Sequence, residues 1–259
     1  MIFDINAWLG SFPFRSLRDN TPETLLARMD RSGIDGAAVS MIEAIFHRNV
    51  QPANEQLAEM VAPHGGRLVA MGTINPTYEQ WEDDLRQCQE DLGMKGIRLF
   101  PVYHGYSVDG SEARDVLSAC VERNIPVSIP GRIEDPRQRN WMDPGQTVSA
   151  EGIAKLMAAI PGATVYLPNL RGGMGNLPLW RNEAVRDQEW FVDLSLSEVH
   201  GGLDLLAKQS GARHLIFGTH MPFSYPGAAL VKRAVLHLDS GDMEMMSAGN
   251  ALRTLGIAN

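Results

Sequence analysis

Residues 21 to 41 read TPETLLARMDRSGIDGAAVSM, and this stretch holds one copy of the unit from which the fold is built. Thr21, Pro22 and Glu23 give a helix N-cap, a proline at the first helical position and an acid in the first turn. The amphipathic segment Thr21 to Ser32 is stopped by Gly33, and the apolar run Gly36 to Met41 then reads as a strand. The same alternation recurs along the chain. Candidate strands are Ile2 to Asn6, Gly36 to Met41, Leu68 to Asn75, Gly96 to Pro101, Pro126 to Pro130, Ala163 to Pro168, Trp190 to Ser195 and His214 to Gly218. A second well-marked helix, Ala150 to Ile160, opens at Ser149 as N-cap and closes at Pro161 and Gly162.

Eight βα units predict an α/β fold with a closed parallel barrel, a (β/α)8 TIM barrel, with an open doubly wound sheet as the competing architecture. The 259 residues suit one such domain spanning 1–259, since a barrel needs roughly 250. A hydrophobic fraction of 44% and a charged fraction of 21% are those of an ordinary globular chain. The net charge of -8 and the lack of any Lys/Arg run exclude an electrostatic footprint for nucleic acid or an anionic membrane. No stretch approaches 18 apolar residues and no leader pattern opens the chain, so a cytoplasmic location is expected. Cys88 and Cys120 have no CxxC spacing and read as buried reduced thiols. A small-molecule partner is expected, and apolar residues on exposed helix faces would allow a homodimer.

Long irregular segments follow several strands: Trp8 to Asn20, Arg132 to Val148, Asn169 to Pro178 and Thr219 to Pro226. In a barrel these leave the C-terminal strand ends, the face where active sites form. No Gly-x-Ser-x-Gly elbow, Walker A loop or strand-linked Gly-x-Gly-x-x-Gly is present, which removes the serine hydrolase, nucleotide hydrolase and dinucleotide readings. Gly172-Gly173 is a turn signal, and Met243, Met245 and Met246 read as core packing rather than copper ligands.

The motifs Phe3-Asp4-Ile5-Asn6-Ala7-Trp8-Leu9-Gly10, Gly96-Ile97-Arg98-Leu99 and Phe217-Gly218-Thr219-His220-Met221-Pro222, with the tail Asn250 to Leu255, follow in an order that resembles the amidohydrolase-related family of metal-dependent TIM-barrel hydrolases and decarboxylases. The resemblance implies a first-strand Asp-x-His-x-His and an eighth-strand aspartate as metal ligands. Here those positions hold Asn6, Trp8 and His220, and the fifth and sixth strands, Val127 to Pro130 and Val165 to Asn169, lack a histidine. Zinc needs three or four N, O or S ligands, and an indole is not one of them. No cofactor is therefore expected, although a divalent metal on a non-standard, oxygen-rich set of Asn6, Asp193, Glu198 and His220 stays open.

Asn6 and Trp8 share a strand face looking into the barrel mouth, where Trp8 would fill metal space and Asn6 would hold a carbonyl or water. His220, just past the eighth strand, is the candidate acid/base, with a structural, carbonyl-bonded histidine as the alternative. Glu134 or Asp135 would serve as a base or orient His220, unless the segment Arg132 to Arg137 pairs with itself. Asp193, in an apolar strand beside Ser195, needs a partner because an unpaired buried carboxylate is costly. Arg15, Arg98, Arg132, Arg137 and Arg171 recur at the mouth and fit an anionic substrate, with Trp8, Tyr103 and Asn169 as further contacts. Glu43, His104 and Tyr106 are weaker candidates.

Three functions follow. The leading expectation is hydrolysis of a lactone, amide or ester bearing a carboxylate, without the usual zinc, by His220 and an arginine clamp. A decarboxylase of an aromatic or small organic acid is the second, and a non-catalytic barrel binding small anions the third.

Overall fold

The computed structural model describes residues 1–170, 177–197 and 201–258. Eight parallel strands stand in sequence order in one sheet: β1 Phe3–Leu9, β2 Gly36–Met41, β3 Leu68–Thr73, β4 Gly96–Arg98, β5 Val127–Ser128, β6 Val165–Leu167, β7 Trp190–Asp193 and β8 Leu215–Ile216. The backbone of Ile5 donates to the carbonyl of Phe217 at 3.0 Å, and Ala7 bridges to Met221, so β8 returns beside β1 and the sheet nearly closes. This order replaces the doubly wound alternative, whose strand sequence reverses direction at a switch point.

All eight strands sit where the apolar runs place them, but their ends differ from expectation. β1 runs on to Leu9 because Trp8 and Leu9 pair with Ser40 and Met41 of β2. β4 ends at Arg98 rather than Pro101, because its partners Thr73 and Ser128 are the last residues of β3 and β5, and Pro101 then opens a short helix, Pro101–His104. β7 ends at Asp193, and β3, β5, β6 and β8 are likewise shorter than their apolar runs.

Helices cover the outside of the sheet. In α1, Pro22–Ser32, the Thr21 hydroxyl accepts from the Thr24 amide while the Thr24 hydroxyl accepts from that of Thr21, and Gly33 closes the helix at φ 66. In the helix Ala150–Ala159, the Ser149 hydroxyl accepts from the Gly152 amide. Between strands and helices lies the main apolar layer, with Leu25, Met29, Val39, Leu57, Val116 and Leu156 among its fully buried members. A second cluster joins Phe3, Ile5, Met71, Tyr166 and Phe191 to the closing helix residues Ala251 and Leu252. A third, of Trp8, Phe12, Ile42, Phe100, Ile133 and Phe223, fills the C-terminal mouth.

Cys88 and Cys120 are free and buried, and burial pushes both thiols up to about 12, which makes them inert. Among the described residues no helix is long and apolar enough to cross a membrane.

Candidate functional site

The even residues of β1, Asp4, Asn6 and Trp8, are fully buried and meet the ends of β6, β7 and β8. Asn6 is the centre of the arrangement. Its Nδ2 donates to Asp193 Oδ2 at 2.8 Å and to Asn169 Oδ1 at 3.0 Å, and its Oδ1 accepts the Trp8 indole N–H at 3.0 Å. The Asp193 carboxylate, 2% exposed, is held by Asn6, by the Ser195 hydroxyl at 2.6 Å and by the Asn169 backbone N–H at 2.9 Å. Burial still pushes its pKa upward. The partner demanded by a buried carboxylate is thus supplied by amides and a hydroxyl. Lys232 adds a positive field, donating to the carbonyls of Leu194 and Ser195 at 2.8 and 2.7 Å.

His220 lies against this cluster with both ring nitrogens engaged. Nε2 is 2.7 Å from the Ile133 carbonyl, which can only accept, so Nε2 carries the proton. Nδ1 is then the acceptor, 3.2 Å from Trp8 Nε1 and 3.1 Å from Asn169 Nδ2. Burial, with lesser help from Arg98, Arg15 and Arg132, pulls its pKa down to about 3 against the Ile133 bond, so the ring is neutral. It stacks on Phe223 with centroids 4.8 Å apart. His220 and Asn169 both take left-handed backbone, at φ 65 and 57, a conformation that histidine and asparagine adopt more readily than most residues. Such backbone gathers at functional centres.

This geometry differs from the acid/base role expected of His220: a neutral ring with neither nitrogen free offers a substrate no proton and no lone pair. Glu134 and Asp135 do not orient it. The Ile133 carbonyl does, while Glu134 pairs with Arg15 at 2.9 Å and Asp135 with the exposed Arg137 at 2.5 Å. The Arg137 guanidinium holds the Asp135 carboxyl down at about 2.

The arginines expected to converge are dispersed. Arg98 is wholly buried beneath Trp8, its Cζ 4.0 Å from the ring centroid, and its Nη2 reaches the carbonyls of Ile5, Ala7 and Ala38 at 3.1–3.2 Å. Burial lowers its pKa to about 9, opposed by Asp4 and Asp193, and leaves a cation at neutral pH. Its Nε and Nη1 have no acceptor among the described residues. Among the described residues Arg132, 7% exposed, donates only to the Leu196 carbonyl at 3.3 Å, and its buried Nε has no acceptor. Arg15 ties the β1 loop to Glu134 and to the Phe223 carbonyl. Arg137 stands apart, and Arg171 and Glu198 lie outside the described residues, as does the Gly172-Gly173 turn.

Tyr103 packs edge-on to Phe46 at 5.4 Å with a buried hydroxyl, and burial raises its pKa. His104 packs against Phe100 and reaches the Ala44 carbonyl at 3.2 Å, and Tyr106 is packed beside the main core. Glu43 accepts from the Ser11 amide at 2.7 Å and so anchors the β1 loop.

Two groups escaped the sequence reading. Asp4 accepts from the Asn6 and Thr219 amides at 2.9 and 3.0 Å and from the Thr219 hydroxyl, locking β1 to the β8 loop, and burial raises its pKa to about 6. Its place two residues before Asn6 in the Asp4-x-Asn6-x-Trp8 alternation was the available signal. The aromatic plug of Phe12, Phe14, Phe46 and Phe223 left no signal beyond the Phe12-Pro13-Phe14 triplet.

A parallel eight-stranded barrel with polar side chains gathered at its C-terminal strand ends is the construction of a TIM-barrel enzyme scaffold. The chain belongs to the Amidohydrolase family, whose profile matches residues 9–257. It is 22% identical, over 96% of its own length and 80% of the relative's, to a 2-amino-3-carboxymuconate-6-semialdehyde decarboxylase of Dictyostelium discoideum. Similar solved structures include a 2,6-dihydroxybenzoate decarboxylase from Rhizobium, with TM-score 0.75, 18% identity and 98% of each chain covered. Another is a dihydroxybenzoic acid decarboxylase from Polaromonas with bound manganese, with TM-score 0.77, 15% identity and coverage of 98% and 96%.

The present side chains do not fit such a metal as they stand. Asn6 turns its amide nitrogen toward Asp193 and gives its oxygen to Trp8, while His220 has no free lone pair. Among the described residues no three of His, Cys, Asp and Glu converge on a point where an ion could sit.

Proposed function

We propose that this chain is a decarboxylase of a small organic acid bound at the C-terminal mouth of the barrel. One observation carries the reading: the Arg132 guanidinium is nearly buried, pairs with no carboxylate among the described residues and keeps an unmatched Nε–H. Burying a cation in this way is costly unless an anion completes it, and a planar carboxylate matches a guanidinium edge. The dispersal of Arg98 and Arg137 leaves Arg132, rather than a three-arginine clamp, as the substrate's anchor.

Decarboxylation is favoured over hydrolysis by the state of His220. Hydrolysis needs a base to activate water, and an imidazole whose Nδ1 lone pair already faces two N–H groups and whose pKa is pulled down to about 3 is a poor one. In decarboxylation the bond to the carboxylate carbon breaks, CO2 leaves, and the remaining carbon keeps the electron pair and takes a proton from water at the mouth. No water nucleophile is required. The decarboxylase names of the relatives support this choice of reaction and of an acid substrate.

A second reading, binding without turnover, is favoured by the closure of the centre, where Asn6, Trp8, Asn169, Ser195 and His220 satisfy one another. One assay decides. Carboxyl-13C hydroxybenzoates and small unsaturated acids are offered to the purified protein, and released CO2 and bicarbonate are followed by NMR beside a panel of lactones, amides and esters. The expected result is release from an acid, lowered at least about tenfold in Arg132→Met. Turnover confined to the ester or lactone panel would overturn the reading in favour of a hydrolase, and saturable acid binding with no turnover would leave the binding barrel.

A further inference from the structure

A second pocket opens at the rim of the barrel mouth, between the β1 and β8 loops. Its volume is about 280 Å³, and its walls include Arg15, Arg18, Asp19, Arg28, Phe223 and Tyr225. This size is near the lower end, about 300 Å³, of small-molecule sites, and admits one ring rather than a nucleotide. Phe223 separates it from the central network: the phenyl ring stacks on His220 on the inner side and is also approached by the Arg15 guanidinium, 5.8 Å from its centroid.

The charge in this pocket is unbalanced. Of its three guanidiniums, Arg15 is paired with Glu134, and Arg28 gives only its Nε to Asp19, at 2.9 Å, so that both terminal nitrogens of Arg28 are uncommitted among the described residues. Arg18 makes no ion pair or hydrogen bond among the described residues. Opposite stands Tyr225, 70% exposed although its ring is large and apolar, with the Arg28 guanidinium 5.7 Å above its centroid. Arg28 and Tyr225 thus offer a guanidinium edge and an exposed aromatic ring side by side, and these recognise complementary parts of a single ligand.

We infer that this rim pocket binds a single-ring aromatic carboxylate, with the carboxylate on Arg18 and the terminal nitrogens of Arg28 and the ring against Tyr225. Inorganic phosphate shares the charge but not the ring, and fails to use Tyr225. A neutral aromatic amide has the ring without the charge. The site is distinct from the Arg132 anchor, and it stands whether or not the centre performs chemistry.

The test is a titration of the full chain with benzoate, benzamide, acetate and inorganic phosphate, read by calorimetry and by the Trp8 indole N–H resonance. Benzoate is expected to bind at least about tenfold more tightly than benzamide or phosphate, with the loss of one charge-assisted contact in Arg18→Gln costing a comparable factor. Tyr225→Ala should weaken benzoate and leave acetate unchanged. Because Arg18 and Tyr225 are exposed, neither variant threatens folding. Equal affinity for benzoate and benzamide, tighter binding of phosphate, no binding at all, or indifference to Arg18→Gln would each overturn the assignment. Benzoate binding that shifts Trp8 and ignores Arg18 and Tyr225 would place the acid at the centre and also overturn it. CO2 release in the assay above, with no benzoate binding that depends on Arg18 and Tyr225, sinks this site alone; rim binding without release sinks only the proposed reaction.

Discussion

The Nε2 atom of His220 lies 2.7 Å from the carbonyl oxygen of Ile133, and this single bond fixes the chemistry of the ring. It assigns the proton to Nε2 and turns Nδ1 toward the N–H groups of Trp8 and Asn169, while burial, acting against this bond, keeps the imidazole a neutral strut. Its pKa near 3 follows first from burial. The expected outcome in a 15N-histidine NMR titration is that the assigned His220 side chain remains the Nε2–H tautomer from pH 8 to pH 5, as does His104, which burial pulls down to about 4 and which bonds the Ala44 carbonyl through Nε2. A His220 signal that titrates near the unperturbed value of about 6.5 would show the ring open to solvent.

Asp4 gives a pH dependence of opposite sign. Its folded pKa of about 6 stands above the unfolded value, near 3.9. The folded state therefore takes the proton first, and the stability that proton brings grows as pH falls through 6 and is complete below about 4. His220 works against it, since its depressed pKa lets the unfolded state bind the proton first below about 6.5. In the wild type the two nearly cancel between about pH 4 and 6. Asp4→Asn removes one of them, so the stability of the wild type relative to this variant should rise by up to roughly 3 kcal/mol from pH 7 to pH 4 in urea unfolding. A difference independent of pH would mean that Asp4 is ionised throughout.

The barrel was legible because its strands, covered on both faces, read as continuous apolar runs set between glycines and prolines. Their ends were not, since pairing stops where a neighbouring strand stops. Thus β4 ends at Arg98 although Leu99 and Phe100 are equally apolar, and β1 outruns its apolar stretch because Ser40 and Met41 offer partners. At the site, the gathering of Asn6, Trp8, Asn169, Asp193 and His220 could be anticipated from strand ends and alternation. The atom that orients His220 could not be, because it is a backbone carbonyl and any residue at position 133 has one. The rim pocket was hidden for another reason: Arg18 on a loop and Arg28 on α1 meet Tyr225 only through the path of two loops.

Trp8 closes the centre, and its two functions separate by substitution. The indole N–H serves Asn6 and His220, while the ring covers Arg98 at 4.0 Å and packs against Phe100 and Phe223. Trp8→Phe removes the donor and keeps most of the ring, so a cost of about 1–2 kcal/mol is expected from acceptors left unmatched. Trp8→Ala also opens a cavity above a buried guanidinium and should cost about 3–5 kcal/mol. Denaturant midpoints at constant slope measure both. Equal costs would mean that the ring's packing contributes nothing beyond its hydrogen bonds.

The same network makes a prediction about metal. A divalent ion at the barrel centre would need lone pairs from Asn6 and His220, but the Asn6 oxygen accepts from Trp8 and the His220 ring is bonded through both nitrogens. Freeing them would break at least three hydrogen bonds before any coordinate bond formed, and Trp8 would still occupy space beside them. Protein purified without an affinity tag should therefore carry no stoichiometric zinc, manganese or iron, and EDTA should leave its melting temperature unchanged. Millimolar zinc or manganese should be equally silent, whereas a site of micromolar affinity would add about 4 kcal/mol at a thousandfold excess over its Kd. Tightly held metal removed by chelation with a fall in melting temperature would show that the network rearranges around an ion, and that Asn6 and His220 can turn from partners of Trp8 into ligands.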